Sequence, residues 1–554
     1  MAADRIDRIA REVFGFGALR PGQREAIEPL LVGRDTLAVM ASGAGKSAIY
    51  QIAALLLDGP TIVISPLIAL QQDQAGSIDA HLPGEAAPLN SRLGERARRR
   101  TLQRLEEGSV EFLFLAPEQL ANAEVREELQ RVRPSLLVVD EAHCISEWGH
   151  DFRPDYLRIG PLVEELGHPV SLALTATAAP PVRHEIVERL RLREPHVVVR
   201  GFDRPNIRLA VERHHEEKHK QAALLKRIDA LAKPGIVYSA TRRAADALTT
   251  ALGTRGWRAA AYHAGHTTHE RDDVQRRFDD DALDVVVATT AFGMGVDKPN
   301  VRFVVHQAVS ESLDAYYQEI GRAGRDGEPA TAILLYRPED LGTRRFLRGA
   351  GPLTPDDLDR VARAVAAAPG PLDPTTLRER LAFSRSKLTA AVTRLEDVGE
   401  VEVHADGEVE RAAGAPPVEE AVARAVAADD QRELFAESRL AMVRGYAETD
   451  GCRRRFLLSY FGEDAPERCG NCDVCERLAA RDARADSRGA RGAAGARDAP
   501  EKRFPAGTRV RHRNWGEGEV QRVDGDHLVV LFDSVGYKTL ARELVHERRL
   551  LELL

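Results

Sequence analysis

The sequence predicts an α/β protein with two successive doubly wound lobes, a winged-helix-like insert, a four-cysteine module and a small SH3-like β-barrel. Three observations predict this order. Short apolar runs alternate with helix-like segments twice along the chain, amphipathic helices take over near residue 350, and four of the five cysteines lie between Cys452 and Cys475. At 554 residues the chain is too long for a single hydrophobic core, so several domains are expected.

The two lobes are predicted from apolar runs that suit strands of a parallel sheet buried on both faces. In the first lobe, residues 1–204, the runs are 36–39, 61–64, 112–115, 136–139 and 172–174. In the second lobe, residues 205–347, they are 235–238, 284–287 and 302–305. Helices between the runs would then cover both faces of each sheet.

The remaining chain divides by composition. Residues 348–425 show three helical patterns and a hairpin around Asp406-Gly407, which predicts the winged-helix-like insert. A zinc-binding module is expected at 426–478 and a flexible linker at 479–503, because the linker is Ala, Arg, Asp and Gly with little to bury. Short strands around Val510, Val520 and 528–532 predict the barrel at 504–554, with turns at 515–518 and 524–525.

Composition bounds the class of protein. The hydrophobic fraction is 43% and the charged fraction 30%, and no apolar run approaches the ~20 residues of a membrane span. The N-terminus lacks a signal-peptide core, so a cytoplasmic protein without a membrane partner is expected. The net charge of −8 argues only weakly against nucleic-acid binding, because phosphate affinity comes from local basic surface.

A phosphate-binding loop is predicted where a strand meets a helix at residues 40–47. Gly43 and Gly45 let backbone N–H groups approach phosphates, Lys46 would reach the β- and γ-phosphates of ATP, and Ser47 would hold Mg²⁺. Met40 occupies the first glycine position of the usual pattern. The alternative is a glycine-rich turn with a solvent-facing lysine.

Acidic and basic groups downstream complete a hydrolytic site. Asp140 and Glu141 end a strand where a magnesium ligand and a water-activating base belong, rather than forming a solvated pair. The segment containing Gln318, Arg322 and Arg325 is the second lobe's candidate contribution, with Arg325 as the arginine finger. Its alternative is an ordinary pair of surface arginines.

Aromatic residues follow the acidic pair within ten positions. Trp148 and Phe152 are of the kind that stack on unpaired bases, and the polar residues around them make core packing the weaker alternative. One loop therefore has the chemistry to contact both ATP and a nucleic-acid strand, which indicates a motor.

The cysteine spacing predicts a closed metal site. Cys452, Cys469, Cys472 and Cys475 offer four thiolates within 24 residues, which suits structural Zn²⁺. An Fe–S cluster is the alternative. Cys144 stands apart and is expected to be a packed thiol.

The chain resembles RecQ-family DNA helicases. The matching stretches are FGF with RPGQ (14–23), SPLIAL (65–70), DEAHCISEWGHDFRP (140–154), ALTATA (173–178), FDRPN (202–206), YHAG (262–265), AFGMG (291–295) and 316–327. The resemblance implies two RecA-like lobes, 3′-to-5′ movement on single-stranded DNA, forked or tailed DNA substrates, and a nucleoid-associated role in DNA repair and recombination. It also implies that Phe16 stacks on adenine, that Arg20 and Gln23 hydrogen-bond to it, and that Trp148, Phe152 and Arg153 couple strand binding to hydrolysis.

The chain also departs from that family. The phosphate loop has Ala41, Ser42 and Ala44 where the family usually has Pro, Thr and Gly, which preserves size and polarity. The insert lengthens the connection to the zinc module, and the winged-helix domain that usually follows the zinc site is missing. We therefore hypothesise that the insert binds duplex DNA, the alternative being a spacer that packs on the motor. The C-terminal segment resembles the Tudor-like tail of UvrD-type helicases, which implies docking to a protein such as RNA polymerase.

Three functions remain open at this point. The leading hypothesis is an ATP-dependent DNA helicase. The second is a DNA-stimulated ATPase that translocates and remodels protein–DNA complexes without strand separation. The third, a scaffold, is disfavoured because every catalytic group is present in the sequence.

Overall fold

The computed structural model describes residues 2–41, 43–66, 68–90, 93–146, 153–293, 298–348, 353–404, 408–463, 465–487, 504–505, 507–524 and 527–554. The chain forms two compact units. One contains Met1–Asp340 and Val443–Ala499, and the other contains Leu341–Met442 and Pro500–Leu554. In the described residues, no helix combines the length and apolar character needed to cross a membrane.

The first lobe is a parallel sheet covered by helices. Its strands are β1 Thr36–Met40, β2 Thr61–Ile64, β3 Ala86–Leu89, β4 Phe112–Leu115, β5 Leu136–Val139, β6 Val170–Thr175 and β7 His196–Arg200. They lie side by side in the order β3-β4-β2-β5-β6-β1-β7. Its helices are α1 Ala2–Glu12, α2 Gln23–Leu30, α3 Ser47–Ala54, α4 Ile68–Asp79, α5 Glu95–Glu106, α6 Ala123–Val132, α7 Ile159–Glu165 and α8 Pro180–Arg189.

All five strands predicted in this lobe are confirmed, and the edge strands β3 and β7 were not anticipated. The central strands are buried along their length, as continuous apolar runs require. Strand β3 reads Ala-Ala-Pro-Leu, which lacks the β-branched residues that identify a strand, and a proline is tolerated there because the strand lies at the edge.

The second lobe repeats the architecture. Its strands are β8 Ile207–Arg213, β9 Gly235–Tyr238, β10 Ala259–Tyr262, β11 Val285–Ala288, β12 Phe303–His306 and β13 Ala330–Tyr336, in the order β10-β11-β9-β12-β13-β8. Its helices are α9 Glu217–Asp229, α10 Arg242–Gly253, α11 Thr268–Asp279, α12 Leu313–Ile320 and α13 Glu339–Arg348. The strands pair in parallel, so their carboxyl ends meet at one edge. The three predicted strands are confirmed.

The insert has the expected three helices and hairpin. They are α14 Pro355–Ala366, α15 Pro374–Leu381, α16 Arg385–Asp397, β14 Val401–Val403 and β15 Val409–Arg411. An antiparallel bridge from Leu372 to Val409 adds the short third strand position that a winged-helix unit uses. The predicted Asp406-Gly407 turn lies outside the described residues.

The insert's third helix carries basic groups that are already engaged. Lys387 pairs with Asp357 at 2.8 Å, and Arg394 pairs with Asp429. Two of the three cations of α16 are thus paired with carboxylates of the same unit, while Arg385 at its start is exposed, so duplex binding and the spacer alternative both stay predictions.

Long helices cross two predicted boundaries. Helix α17 runs from Val418 to Glu448, so the boundary expected at 425/426 falls inside it. The linker expected from 479 begins instead as helix, because helix α19, Asp473–Ser487, extends into it. Alanine and arginine are strong helix formers, and the linker composition was therefore misread at its start. The four cysteines of the zinc module lie between the end of α17 and the first turn of α19, with α18 Arg453–Tyr460 between the first and the second of them.

The C-terminal segment is a small antiparallel sheet as predicted. Its elements are β16 Arg509–His512, β17 Gly516–Asp524, β18 His527–Phe532, β19 Gly536–Ala541, α20 Arg542–Glu547 and β20 Leu551–Leu553, and the strand order is β19-β18-β17-β16-β20. The turn expected at 515–518 was wrong in position, because Gly516 already begins β17. Position 518 inside this strand requires glycine, because a Cβ there would lie 2.4 Å from the Leu531 carbonyl oxygen.

Candidate active site

The phosphate loop lies between β1 and α3 and is held by residues of the N-terminal segment. Gln23 is buried, and its amide nitrogen donates to the Gly45 carbonyl at 2.8 Å. The Arg20 guanidinium donates to the Gly43 carbonyl. Gly45 has φ of 79°, and a Cβ there would lie 2.6 Å from the Gln23 amide nitrogen, so this position requires glycine. Arg20 and Gln23 are thus brought to the loop, with Phe16 partly buried against the lobe core.

Lys46 points back along its own loop. Its ammonium donates to the Met40 carbonyl at 3.0 Å and lies 3.5 Å from the Ala41 carbonyl. Burial lowers the pKa of Lys46, and the carboxylates of Asp140 and Glu141 oppose that shift. The Lys46 ammonium is therefore close enough to the acidic pair for the two carboxylates to act on its pKa, and its contact with ATP phosphates stays a prediction.

Asp140 ends β5 and is buried next to a second carboxylate. Burial raises its pKa to about 6, with the charge of Glu141 adding to the rise and a hydrogen bond from Gln74 opposing it. The Gln74 amide nitrogen donates to Asp140 at 3.1 Å, and the Tyr156 hydroxyl donates to the Asp140 backbone carbonyl at 3.0 Å. Neither partner was predicted, because each lies on a different element and no local pattern marks it.

Glu141 is connected to the end of strand β6. Its carboxylate lies 3.2 Å from the His143 Nδ1 nitrogen, and the same nitrogen lies 3.0 Å from the Thr175 hydroxyl. The Thr175 hydroxyl donates to the Thr177 carbonyl at 3.0 Å. A displacement of the Glu141 carboxylate would therefore act on the ALTATA segment, because His143 and Thr175, which connect the two, are buried.

The two candidate arginines of the second lobe, Arg322 and Arg325, have different surroundings. Arg325 lies beside the phosphate loop, since its Cγ is 3.9 Å from where a Gly43 side chain would begin. Its charge also acts on Lys46. Arg322 is 4% exposed and lies against Tyr238, whose pKa burial raises to about 12 while Arg322 opposes the shift. Arg325 is therefore the arginine found beside Gly43 of the phosphate loop, and Arg322 is the one found against Tyr238.

The loop that carries Arg325 is clamped by the FDRPN segment. The Arg204 guanidinium donates to the carbonyls of Gly321 at 3.2 Å, Ala323 at 2.9 Å and Gly324 at 2.9 Å. The Asn206 amide donates to the Gly324 carbonyl at 2.8 Å. Burial lowers the pKa of Arg204, and the nearby positive charge of Arg325 adds to that effect. The sequence alone indicates no role for Arg204 or Asn206, because the carbonyls that they bind belong to a distant part of the chain.

Gly324 offers a test of this clamp. Its φ is 55°, and a Cβ there would lie 2.5 Å from the Asn206 amide nitrogen and 2.8 Å from the Glu328 carbonyl oxygen. Gly324→Ala must displace the loop, and we expect kcat for ATP hydrolysis to fall on the order of 100-fold, as an ångström-scale misplacement does. Steady-state ATPase kinetics measure this.

Gly327→Ala is the matched control for that variant. Gly327 also has positive φ, 87°, but no heavy atom of the described residues lies within 4 Å of its Cβ position. Gly327→Ala should lower the free energy of unfolding by only about 1–2 kcal/mol, from left-handed backbone strain, and leave kcat nearly unchanged. Equal loss of kcat in both variants would show that the clash at Gly324 is unimportant.

The predicted coupling loop is described only at its end. Trp148 and Phe152 lie outside the described residues. Arg153 is described, and its guanidinium donates to the Pro66 carbonyl at 2.9 Å while its backbone N–H donates to the Cys144 carbonyl at 2.8 Å. Arg153 thus connects the end of this loop to the SPLIAL segment that follows β2.

The four cysteines of the C-terminal module converge. One sulfur from each of Cys452, Cys469, Cys472 and Cys475 lies within 4.8 Å of the others. Tetrahedral Zn²⁺ with bonds of about 2.3 Å places thiolates roughly 3.8 Å apart, so the set fits one ion with small adjustment. A multi-iron cluster would hold the sulfurs farther apart.

The zinc module is strengthened by a buried ion pair. The Arg453 guanidinium meets the Asp473 carboxylate at 2.7 and 3.0 Å, and its third nitrogen donates to the Tyr446 carbonyl at 2.6 Å. Backbone N–H groups of Asn471 and Cys475 donate to cysteine sulfurs at 3.4 Å. Such contacts orient metal ligands before the ion arrives.

A second group of possible ligands forms an ordinary hydrogen-bonded pair. His263 Nε2 lies 2.9 Å from Asp246, with His266 nearby, and the Gly265 N–H donates to His263 Nδ1 at 3.2 Å. Because Nδ1 accepts that bond, the neutral ring carries its proton on Nε2, directed at Asp246. A metal bound at Nε2 would force this proton onto Nδ1, where it would point at the Gly265 N–H, which is also a donor.

Two RecA-like lobes, a phosphate loop, an acidic pair and an arginine beside the loop define the class of ATP-dependent helicases. Comparisons with family models agree. A DEAD/DEAH box helicase model matches residues 20–185, a helicase conserved C-terminal domain model matches 219–327, and a RecQ zinc-binding model matches 418–476. The chain belongs to the RecQ family of ATP-dependent DNA helicases, and its four cysteines form the family's zinc-binding module.

Relatives support this membership. The chain is 35% identical over 472 residues to the probable ATP-dependent DNA helicase RecS of Bacillus subtilis, covering 85% of this chain and 91% of that protein. It is 36% identical over 469 residues to the ATP-dependent DNA helicase RecQ of Pasteurella multocida, covering 84% of this chain but only 61% of that protein. A DNA-bound crystal structure of the DUF1998 helicase MrfA shares the fold, with 15% identity, a TM-score of 0.51 and coverage of 75% of this chain and 63% of that one.

Proposed function

We propose that this protein is an ATP-dependent DNA helicase that moves 3′ to 5′ on single-stranded DNA and unwinds forked or tailed duplexes. The observation that carries the proposal is the position of Arg325, a second-lobe residue, beside the first-lobe phosphate loop. Hydrolysis then depends on how the lobes approach each other, which is the requirement for converting ATP turnover into movement along a strand.

The nucleotide chemistry is assigned residue by residue. Lys46 would exchange its bonds to Met40 and Ala41 for phosphate oxygens, which its position in the loop allows. Mg²⁺, when bound with ATP, would neutralise phosphate charge, and Ser47 and Asp140 are the residues that would hold it. Glu141 would orient the attacking water, and Gln318 and Arg322 would support the second-lobe side of the site. Phe16, Arg20 and Gln23 would bind adenine.

Coupling to DNA is proposed for the loop that follows the acidic pair. Trp148 and Phe152 would stack on bases, which is worth about 1–3 kcal/mol per stacked base. Arg153 would pass strand binding to the SPLIAL segment through its bond to Pro66. A role in DNA repair and recombination, and association with the nucleoid in the cytoplasm, follow from this activity as proposals.

Strand displacement measured beside ATP hydrolysis tests the proposal. We expect single-stranded DNA to stimulate the ATPase, and a 3′-tailed duplex to be unwound where a 5′-tailed duplex is not. Lys46→Ala should abolish both signals, because the β- and γ-phosphates lose their cation. DNA-stimulated hydrolysis without displacement of any tailed duplex would instead establish the alternative, a translocase that remodels protein–DNA complexes.

The C-terminal sheet is proposed to dock a protein partner, with RNA polymerase as the candidate. Its support is the resemblance of this segment to the UvrD-type tail. Within the sheet, the partly buried Trp515 ring stacks on the buried His512 ring at 4.1 Å, and the Lys538 ammonium lies 5.8 Å from the Trp515 ring centre. The sheet rests on α17, where Gln431 donates to the Asp533 carbonyl at 3.2 Å.

A further inference from the structure

The zinc module contacts the segment that clamps the arginine-finger loop. Arg454 lies two residues after Cys452, the first cysteine ligand, and is 5% exposed. Its guanidinium donates to the backbone carbonyls of Arg204 at 2.9 Å and Ile207 at 2.6 Å. These two carbonyls lie on either side of the turn whose Arg204 and Asn206 side chains hold the finger loop.

Three more contacts connect the module to this region. The Phe461 ring stacks on Phe202 with centroids 4.5 Å apart and planes 10° apart, and the Glu463 carboxylate accepts the Phe202 N–H at 2.9 Å. The Tyr460 hydroxyl donates to Asp314 at 2.6 Å. Asp314 lies in the first turn of α12, the helix that leads into the finger loop.

We infer that Arg454 is a positioning residue for Arg325, so that the zinc module sets the geometry of ATP hydrolysis rather than serving only as a fold element. The path is short: Arg454 holds the backbone of Arg204, and the Arg204 side chain holds three carbonyls of the loop that bears Arg325. The buried Arg454 guanidinium binds two backbone carbonyls and lies 3.3 Å from the Asp203 carboxylate, so it holds the backbone on both sides of Arg204. The inference rests on the proposed role of Arg325.

A double-mutant cycle tests the inference in the full-length, zinc-loaded protein. Arg454→Ala should lower kcat on the order of 100-fold, with the Kd for a fluorescent ATP analogue and the zinc content unchanged. In an Arg325→Ala background, Arg454→Ala should cause no further loss, because the finger that it positions is already gone. Arg454→Lys, which keeps the charge but has no second nitrogen to replace the Arg454 Nε contact with Asp203 at 3.3 Å, should show the same pattern if the alanine variant folds poorly.

Arg208→Gln is the matched control. Arg208 also joins the second lobe to the zinc module, through Glu476, but it is partly exposed and its side chain contacts no part of the finger loop among the described residues. It should leave kcat within about twofold, the size expected from a weak exposed ion pair. Fully additive losses from Arg454 and Arg325 variants, or zinc loss in both Arg454 variants, would overturn the inference. Normal turnover in Arg325→Ala would instead refute the proposed finger.

Discussion

Arg325→Ala is expected to lower kcat for DNA-stimulated ATP hydrolysis by about 10³–10⁵-fold, the contribution of an arginine finger. The physical reason is that Arg325 is the second-lobe cation found beside Gly43 and close enough to act on Lys46. Charge that develops on the transferring phosphoryl group would lose its stabilising partner, while ground-state binding of ATP relies mainly on the first lobe. Steady-state ATPase assays and equilibrium binding of an ATP analogue separate the two effects.

Two comparisons sharpen that result. Arg325→Lys should recover part of the rate, because a charge remains without the planar fork of the guanidinium. Arg322→Ala should differ in kind: Arg322 is 4% exposed against Tyr238, so its removal should reduce stability as well as activity. A loss of less than tenfold in Arg325→Ala would exclude Arg325 as the finger.

Cys469→Ser is expected to release zinc and to lower the free energy of unfolding by about 4–5 kcal/mol or more. Four thiolates within 4.8 Å of one another repel when no cation joins them, and a serine hydroxyl is a poor fourth ligand. Metal analysis, limited proteolysis and thermal unfolding measure the change. Aggregation or cleavage within the module should follow.

Cys469→His is the informative partner for this variant, because imidazole is a natural zinc ligand. It should retain zinc, with stability between those of the wild type and Cys469→Ser. Wild-type solubility and activity in a zinc-free Cys469→Ser protein would contradict a structural role for the metal.

Much of the fold could be predicted because its signals are local. The central strands are recognisable in the sequence as continuous apolar runs, since both faces of a parallel sheet are buried. The edge strand β3 and the turn near Trp515 could not be predicted in the same way. A strand of Ala-Ala-Pro-Leu and a glycine inside β17 are explained by their neighbours in space, not by their own composition.

The residues of the candidate active site also divide into those with a local sequence signal and those whose contacts depend on the tertiary structure. By itself the sequence determined the phosphate loop, the acidic pair and the four cysteines, because each depends on residues a few positions apart or on a rare residue type in a cluster. Only the tertiary structure showed that Arg325 lies beside Gly43, that Gln74 donates to Asp140, and that Arg454 binds the backbone of Arg204, whose side chain binds the loop before Arg325. Those contacts join residues that lie far apart in the chain, and no local spacing encodes which distant backbone a buried side chain will meet.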